Sequence, residues 1–498
     1  MTIVLQIYKE TLMMKIELLS ESDLLFGGDG PFIDPKVGML CYGPAGFDAN
    51  KPESKIVIRA GAIGTSESLQ QLRSFLTRLH QRIPASDQSE NYPWIIDFPG
   101  LNTEGPLHFD IQLDESSIER ISSSEEEEIV SNEVRKTRIE KLVNICEKKF
   151  ENLDSSHQTP MILFLTISQK IMNACKDPFY SQDKIIYARR TLNPKTTNGE
   201  IPLFDFHHVM KVISFKFKFP IQLIRPNTLR FSEGLQDHST IAWNFAVACY
   251  YKATGTPWKL ASLNRETCYC GISFFTGISE GNPSLQTSMA QVYMRTGESQ
   301  VILGRPFNWD PHQGRTPTLS SDHAKEICEN VINLYQDNWG KMPTRLVIHK
   351  TSPFTKDEEN GILSGASKVD VIDMVHIRGG TSLRVFHLNT GYPPLRGLLM
   401  SQNGHTEGLL YTVGFVPVHQ TYQGSSIPEP IVIDIKSAKS DMRTIADDII
   451  ALTRLDWNNA NYCTRLPVTI GVSRKVGNIL SEMRARKVDC PRSYRFYM

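Results

Sequence analysis

The chain has 498 residues, 40% of them hydrophobic and 22% charged, with 54 basic and 54 acidic side chains. That length carries about two to four domains with ample material for buried cores. A net charge of zero excludes a global basic field, so any grip on phosphate backbones needs charge segregated into a channel.

No apolar run reaches the roughly 18 residues of a membrane-spanning helix. The N-terminal MTIVLQIYKETLMMKIELL contains acids and lacks a small-residue cleavage site, which makes it a poor export signal. The nine cysteines show no metal-type spacing. Cys268 and Cys270 are two apart, share one face of a strand, and read as core rather than as a zinc pair. Reduced thiols without an export signal predict a cytoplasmic protein.

In chain order, the first half reads as α/β. SSSEEEE at 122–128 places four glutamates in a row, and their repulsion predicts a solvated loop or a frayed helix start. Ile139, Leu142, Val143, Cys146 and Phe150 recur at helical spacing. TPMILFLTI at 159–167 is a continuous apolar run, the mark of a strand covered on both faces. A helical segment, FHHVMKVISFKFKF, and a short apolar exit, PIQLIRP, follow. In STIAWNFAVACYYKATGTPW, Ser239 is the expected N-cap of a helix that Thr254-Gly255-Thr256-Pro257 stops. A domain boundary is placed here, dividing the chain into 1–255 and 256–498.

The second half changes texture. TCYCGISFFTG, MAQVYMRTG and SQVILG predict an antiparallel meander whose second pair is joined at Thr296-Gly297. SSDHAKEICENVINLYQDN is a helix with Ala324, Ile327, Cys328, Val331 and Tyr335 on one stripe. The strand RLVIH comes next, and the polar stretch after Lys350 reads as a turn-rich loop. Further strands are expected at VDVIDMVHI, LRVFHL and PIVIDIK, then helices at DMRTIADDIIALTRL and from about Ile470 to Arg486. Three meander strands, a helix, a fourth strand and a terminal helix give the order of an RNase H-like unit.

Several phrases taken in series resemble the Argonaute family, specifically the short prokaryotic Argonautes built of MID and PIWI domains only. They are FGGDGPFIDPKVGMLCYGP, IQLIRPNT, IAWNFAVACYYKATGTPWKL, CYCGISFF, VIHKTSPFTKDE and LTRLDWNNANYCTRLPVTIGVSRKVGNIL. The resemblance implies an α/β protein, a Rossmann-like MID domain at 1–255 followed by an RNase H-like PIWI domain at 256–498. It also implies that the chain pairs a 5′-phosphorylated guide with a complementary nucleic acid, an RNA guide and a single-stranded DNA target being favoured.

His207 and Lys211 are four apart and share one face of a helix. Gln222 follows at the next strand, and Lys252 lies near the end of the helix after Ser239. Cation, imidazole and amide donors together suit a terminal phosphate, which offers several acceptor oxygens. The family grips the guide's 5′-phosphate from these motif positions, which carries over to His207 (or His208, one residue on), Lys211, Gln222 and Lys252. In the family the C-terminal carboxylate, here that of Met498, helps hold a divalent cation such as Mg²⁺ at the guide phosphate. The aromatic ending SYRFYM suits a docked terminus.

Cleavage at an RNase H-type site needs convergent carboxylates that hold two divalent ions. At the family's acidic positions this sequence has Ser273, Thr351 (or Lys350, one residue back) and Ser473-Arg474. Glu298 is the candidate for the glutamate finger. Neutral hydroxyls lack the negative charge that two divalent ions call for, and Lys350 or Arg474 would repel Mg²⁺, so the chain is expected not to be an enzyme. Lys350 and Arg474 would touch the guide–target backbone or lie at the surface. The resemblance further implies a separate APAZ-containing partner that carries an effector: a TIR or Sir2 domain that consumes NAD, or a nuclease. The chain would then be the sensor of a defence system against plasmids and phages. GGDG at 27–30 is not a dinucleotide fingerprint, so NAD chemistry would belong to the partner. Two alternatives stay open, a stand-alone binder that silences by occupancy and an RNase H-fold nuclease using Asp370 and Asp373.

Overall fold

The computed structural model describes residues 14–86, 92–155, 159–175, 206–217, 219–232, 234, 236–262, 266–276, 285–293, 299–308, 317–381, 383–385, 393–402, 405–424, 426–483 and 488–498. They form three sheets, a short one of Leu24–Leu25, Pro31–Phe32 and Lys259–Leu260 and two that organise the chain. The smaller has four parallel strands in the order Phe109–Ile121, Ile56–Thr65, Ile162–Thr166, Ile221–Ile224. Parallel neighbours need crossovers, and the helices Ser66–Leu79, Arg135–Asp154 and Phe206–Ser214 supply them. All five residues of Ile162–Thr166 are buried. Ile162 and Phe164 face one core cluster and Leu163 and Leu165 the other, as a strand covered on both faces requires.

Two local expectations are corrected in this half. The glutamate run is a helix, Ser123–Val130, closed by a capping box between Ser122 and Glu125. Charge repulsion is offset because Lys141 pairs with Glu128 and Lys170 with Glu127. The helix His238–Ala253 is capped by Asp237 and not by Ser239. The Asp237 carboxylate accepts the backbone N–H groups of Ser239 and Thr240 at 2.9 and 3.3 Å, and the Ser239 hydroxyl donates to it at 2.6 Å. A carboxylate at the cap also meets the positive end of the helix dipole.

The larger sheet has nine strands. From one edge it runs Ser299–Asn308, Leu285–Tyr293, Thr267–Thr276, Arg345–Lys350, Val371–Arg378, and Arg345–Lys350 is parallel to both neighbours. This is the expected RNase H-like order. Cys268 and Cys270 face the helix Ser321–Trp339 inside one core cluster. The helix Val468–Met483 covers the opposite face so closely that a Cβ on Gly271 would lie 1.9 Å from the Thr469 carbonyl oxygen. Only glycine permits that approach.

The stretch after Lys350 is not a plain loop. It contains the helix Lys356–Gly365, capped by a box of Thr355 and Glu358. Thr296-Gly297 and residues 386–388 of LRVFHL lie outside the described residues, and 383–385 form no strand.

The chain's start crosses the 1–255 division. Met14–Leu18 pairs antiparallel with Leu398–Gln402 and so belongs to the larger sheet. Arg396 and Arg454 both reach Glu21 there, and His419 reaches Asp34 at 2.7 Å. No helix among the described residues is long and apolar enough to cross a membrane.

Candidate nucleic-acid interface

Among the described residues of the first half, Lys36, Lys211 and Lys252 are buried, and the last two lie at the expected phosphate-binding positions. Lys211 is 4% exposed and Lys252 is 3% exposed. A buried ammonium is costly unless oxygens surround it. Lys211 sits on the helix Phe206–Ser214, whose Val209, Met210, Val212 and Ile213 are buried in the core. Its Nζ donates to the Tyr497 carbonyl at 2.9 Å. The Lys252 Nζ donates to the Ile221 carbonyl at 2.9 Å and to the Gln222 Oε1 at 2.5 Å. Both Lys252 partners are neutral, and burial lowers its pKa to about 8. Gln222 is partly exposed. His207, one helical turn before Lys211, is partly exposed, whereas His208 is buried.

The last residues join these elements. Tyr494–Phe496 is a single helical turn, and Tyr497 and Met498 are buried behind it. The Tyr497 ring lies 4.8 Å from Phe215, just past the Lys211 helix. The Tyr494 ring lies 6.2 Å from Tyr251, next to Lys252. The structure thus brings Lys211 to the chain's end and Lys252 to Gln222, with the terminal turn touching both helices.

The second cluster lies on the larger sheet. Lys350 pairs with Ile272 across the parallel ladder, so Thr351 and Ser273 reach the same end of neighbouring strands. Side chains alternate along a strand. His349 faces the Val468 helix, where its Nδ1 and the Thr469 hydroxyl share a hydrogen bond of 2.8 Å. Ser273 lies on that face, two residues from Gly271. Its hydroxyl and the His349 Nε2 are buried without a hydrogen-bond partner. Burial, with Arg345 nearby, lowers the His349 pKa to about 3, so the ring is neutral. Ser473 is buried and its hydroxyl donates to the Ile470 carbonyl at 2.9 Å. The side chain of Arg474 and all of Glu298 lie outside the described residues.

Lys350 points the other way. It is 1% exposed, forms an ion pair with Glu358, and lies 5.4 and 5.2 Å from the rings of Phe274 and Phe354. Neither a surface position nor a contact with a nucleic-acid backbone is open to it. Glu358 also accepts the backbone N–H groups of Leu319 at 3.0 Å and Thr355 at 2.9 Å, so the pair anchors two segments. Sequence reasoning missed this pair, although the Thr355–Glu358 capping-box spacing was a signal for Glu358.

Asp373 is also committed. It is fully buried, takes the Arg345 Nε at 2.7 Å, and accepts the N–H groups of Lys439 and Ser440 at 3.0 and 3.1 Å. Asp370 is exposed and does not converge with it. Among the described residues, no group of three or more His, Cys, Asp or Glu is placed to hold a metal ion.

No protein-family model matches the sequence, and no curated protein is similar to it. Solved structures do match. The Clostridium butyricum Argonaute bound to a guide DNA and a 19-mer target DNA superposes with a TM-score of 0.63 at 15% identity, over 96% of this chain and 54% of that one. The Marinitoga piezophila Argonaute in complex with a 5′ OH guide RNA gives 0.55 at 11%, over 99% and 60%. Drosophila Piwi gives 0.57 at 11%, over 97% and 56%. The chain spans little more than half the length of these proteins. At such identities the likeness speaks to architecture alone, and it is the mixed α/β architecture of Argonaute MID–PIWI structures that this chain has.

Proposed function

We propose that the chain binds nucleic acid under the direction of a guide, and that it holds the guide by its 5′-phosphate. The supporting observation is the pair of buried lysines, Lys211 and Lys252, with Gln222 and the partly exposed His207 beside them. The Lys252 ammonium, buried against neutral oxygens, gains much from an arriving dianion. The Tyr497 and Ile221 carbonyls and the Gln222 amide oxygen already accept from the lysines. The Met498 carboxylate would hold a Mg²⁺ ion, which takes oxygen ligands and would offset the negative charge of the guide phosphate.

On this reading the chain is not a nuclease. Ser273, Thr351 and Ser473 offer hydroxyls where carboxylates would be needed, and Asp373 is engaged by Arg345. The finer reading is a sensor: guide and target together switch on an APAZ-containing effector partner that consumes NAD or cuts nucleic acid.

Each charge-assisted hydrogen bond to phosphate contributes roughly 1.5–3 kcal/mol, so Lys211→Ala or Lys252→Ala should weaken a 5′-phosphorylated guide about ten- to a hundredfold. A 5′-hydroxyl guide should lose little. Equal losses for both guides would show that these lysines serve the fold or the general backbone. Co-expression with a neighbouring APAZ gene, followed by size exclusion, tests the sensor reading. A chain that remains alone yet represses its target would favour silencing by occupancy.

A further inference from the structure

A cleft of about 430 Å³ opens on the smaller sheet's unit, away from the buried lysines. One wall is the outer face of the helix Ser66–Leu79, and the other is the turn Leu229–Phe231. The helix leaves the carboxyl end of Ile56–Thr65, and the turn follows the carboxyl end of Ile221–Ile224. Open parallel sheets bind ligands outside the carboxyl ends of their strands. Lys252, by contrast, contacts Ile221 and Gln222 at the amino end of the same strand. A volume of this size is in the range that small ligands occupy.

Three side chains give the cleft its chemistry. Phe231 lines it, partly exposed, with a backbone φ of +49°. A bulky aromatic residue in the left-handed region is a backbone outlier, and such strain concentrates at functional sites. Its ring is fixed 5.0 Å from Phe75 and 5.0 Å from His238.

Arg78 and Arg230 are exposed on opposite walls. Their partners are neutral amides: Gln81 for Arg78 at 3.0 Å, and Gln169 and Asn227 for Arg230 at 2.8 and 2.9 Å. Arg73 and Arg82, on either side of Arg78 in sequence, each clasp a carboxylate, Glu115 and Asp97. The acidic residue of the lining is Glu67, in the first turn of the same helix. At 1.5 Å per residue it is about 16 Å from Arg78 along the axis, too far to neutralise it.

We propose that this cleft binds one nucleotide unit, its base stacked on Phe231 and its phosphate between Arg78 and Arg230. An aromatic platform beside cations is the general device for single-stranded nucleic acid, and every base has a face to stack. Ser74 and Gln70, on the wall between, present a hydroxyl and an amide to the base edge. A free mononucleotide and one residue of a longer strand share this chemistry. The site stands whether or not Lys211 and Lys252 hold a guide phosphate.

The test uses the full chain and two probes, adenosine monophosphate and a single-stranded oligonucleotide with a 5′-hydroxyl. Phe231→Gly removes the ring, and glycine accepts the positive φ, so the fold is kept. Arg78→Ala with Arg230→Ala removes the anion grip, and Arg73→Ala is the control. Affinity for at least one probe should fall about tenfold in the Phe231 and the double arginine variants and stay level in the control. An abasic unit in the oligonucleotide should cancel the Phe231→Gly effect. Loss for both probes identifies a free-nucleotide site, and loss for the oligonucleotide alone identifies a strand contact. Unchanged affinity of both probes in folded variants, or an equal loss in Arg73→Ala, overturns the proposal. The same losses in a Lys211→Ala background would separate this site from the guide-end pocket.

Discussion

Lys252 carries its proton loosely, with a pKa lowered to about 8 by burial. A phosphate in contact restores the ordinary preference for the charged form, so binding takes up protons near that pH. Affinity for a 5′-phosphorylated guide should therefore fall as pH rises between about 7 and 9, because the free lysine is increasingly neutral. Lys252→Arg stays charged and should flatten the profile; anisotropy of a labelled guide reads both. Stability moves the opposite way. The unfolded lysine keeps its proton to about 10.5, so the folding penalty is full below about 8 and fades as pH rises from there. Asp373 gives a second test at this scale. Asp373→Ala leaves Arg345 with Asp448 alone in a buried setting. Breaking such a pair costs about 3–5 kcal/mol, which chemical denaturation should record. Were Asp373 a metal ligand instead, the variant would lose a cutting activity and keep its stability.

Among elements, the junction of Thr267–Thr276, Arg345–Lys350 and Val468–Met483 carries the functional question. With guide bound, the isolated protein should leave a complementary target intact in Mg²⁺ or Mn²⁺. A cut at a fixed position on a sequencing gel would refute this. Much of this junction was legible in sequence: RLVIH is apolar and β-branched, and the final helix has a clear apolar stripe. Which side of the strand each residue takes was not legible. Thr351 and Lys350 were interchangeable by one residue until the ladder fixed Lys350 opposite Ile272, on the face away from His349. The helix Lys356–Gly365 was hidden because its first turn is almost wholly charged. Its capping box, like that of Ser122 and Glu125, was a local sign outweighed by charge. The residues proposed for the guide end come from motif positions, and their burial is not visible in sequence, since that of Lys211 involves Tyr497, 286 residues away.

At the scale of the molecule, the strand Met14–Leu18 is one edge of the larger sheet among the described residues. Met14, Ile16 and Leu18 are 56%, 63% and 53% exposed, while Glu17 on the other face meets Arg443 at 2.9 Å. Exposed apolar edges template association. Ile16→Lys should reduce self-association in light scattering and leave the melting temperature within a few degrees, because the isoleucine packs against little. Failure to change scattering would show that this edge is covered. The long reach of this strand is not legible in sequence, because no local pattern announces a partner at Leu398–Gln402.

That pairing also sets a timetable. A ribosome adds about 5–20 residues per second, and the four strands of the smaller sheet are complete once Ile224 has emerged. Met14–Leu18 must wait for Leu398–Gln402, and Glu21 for Arg396 and Arg454. The first described strand of the chain is thus among the last to be seated, after a delay of roughly 20–80 seconds at those rates. During that interval the backbone N–H and C=O groups that will pair with Leu398–Gln402 stand unpaired, and a chaperone that grips this segment early should raise the yield of folded protein.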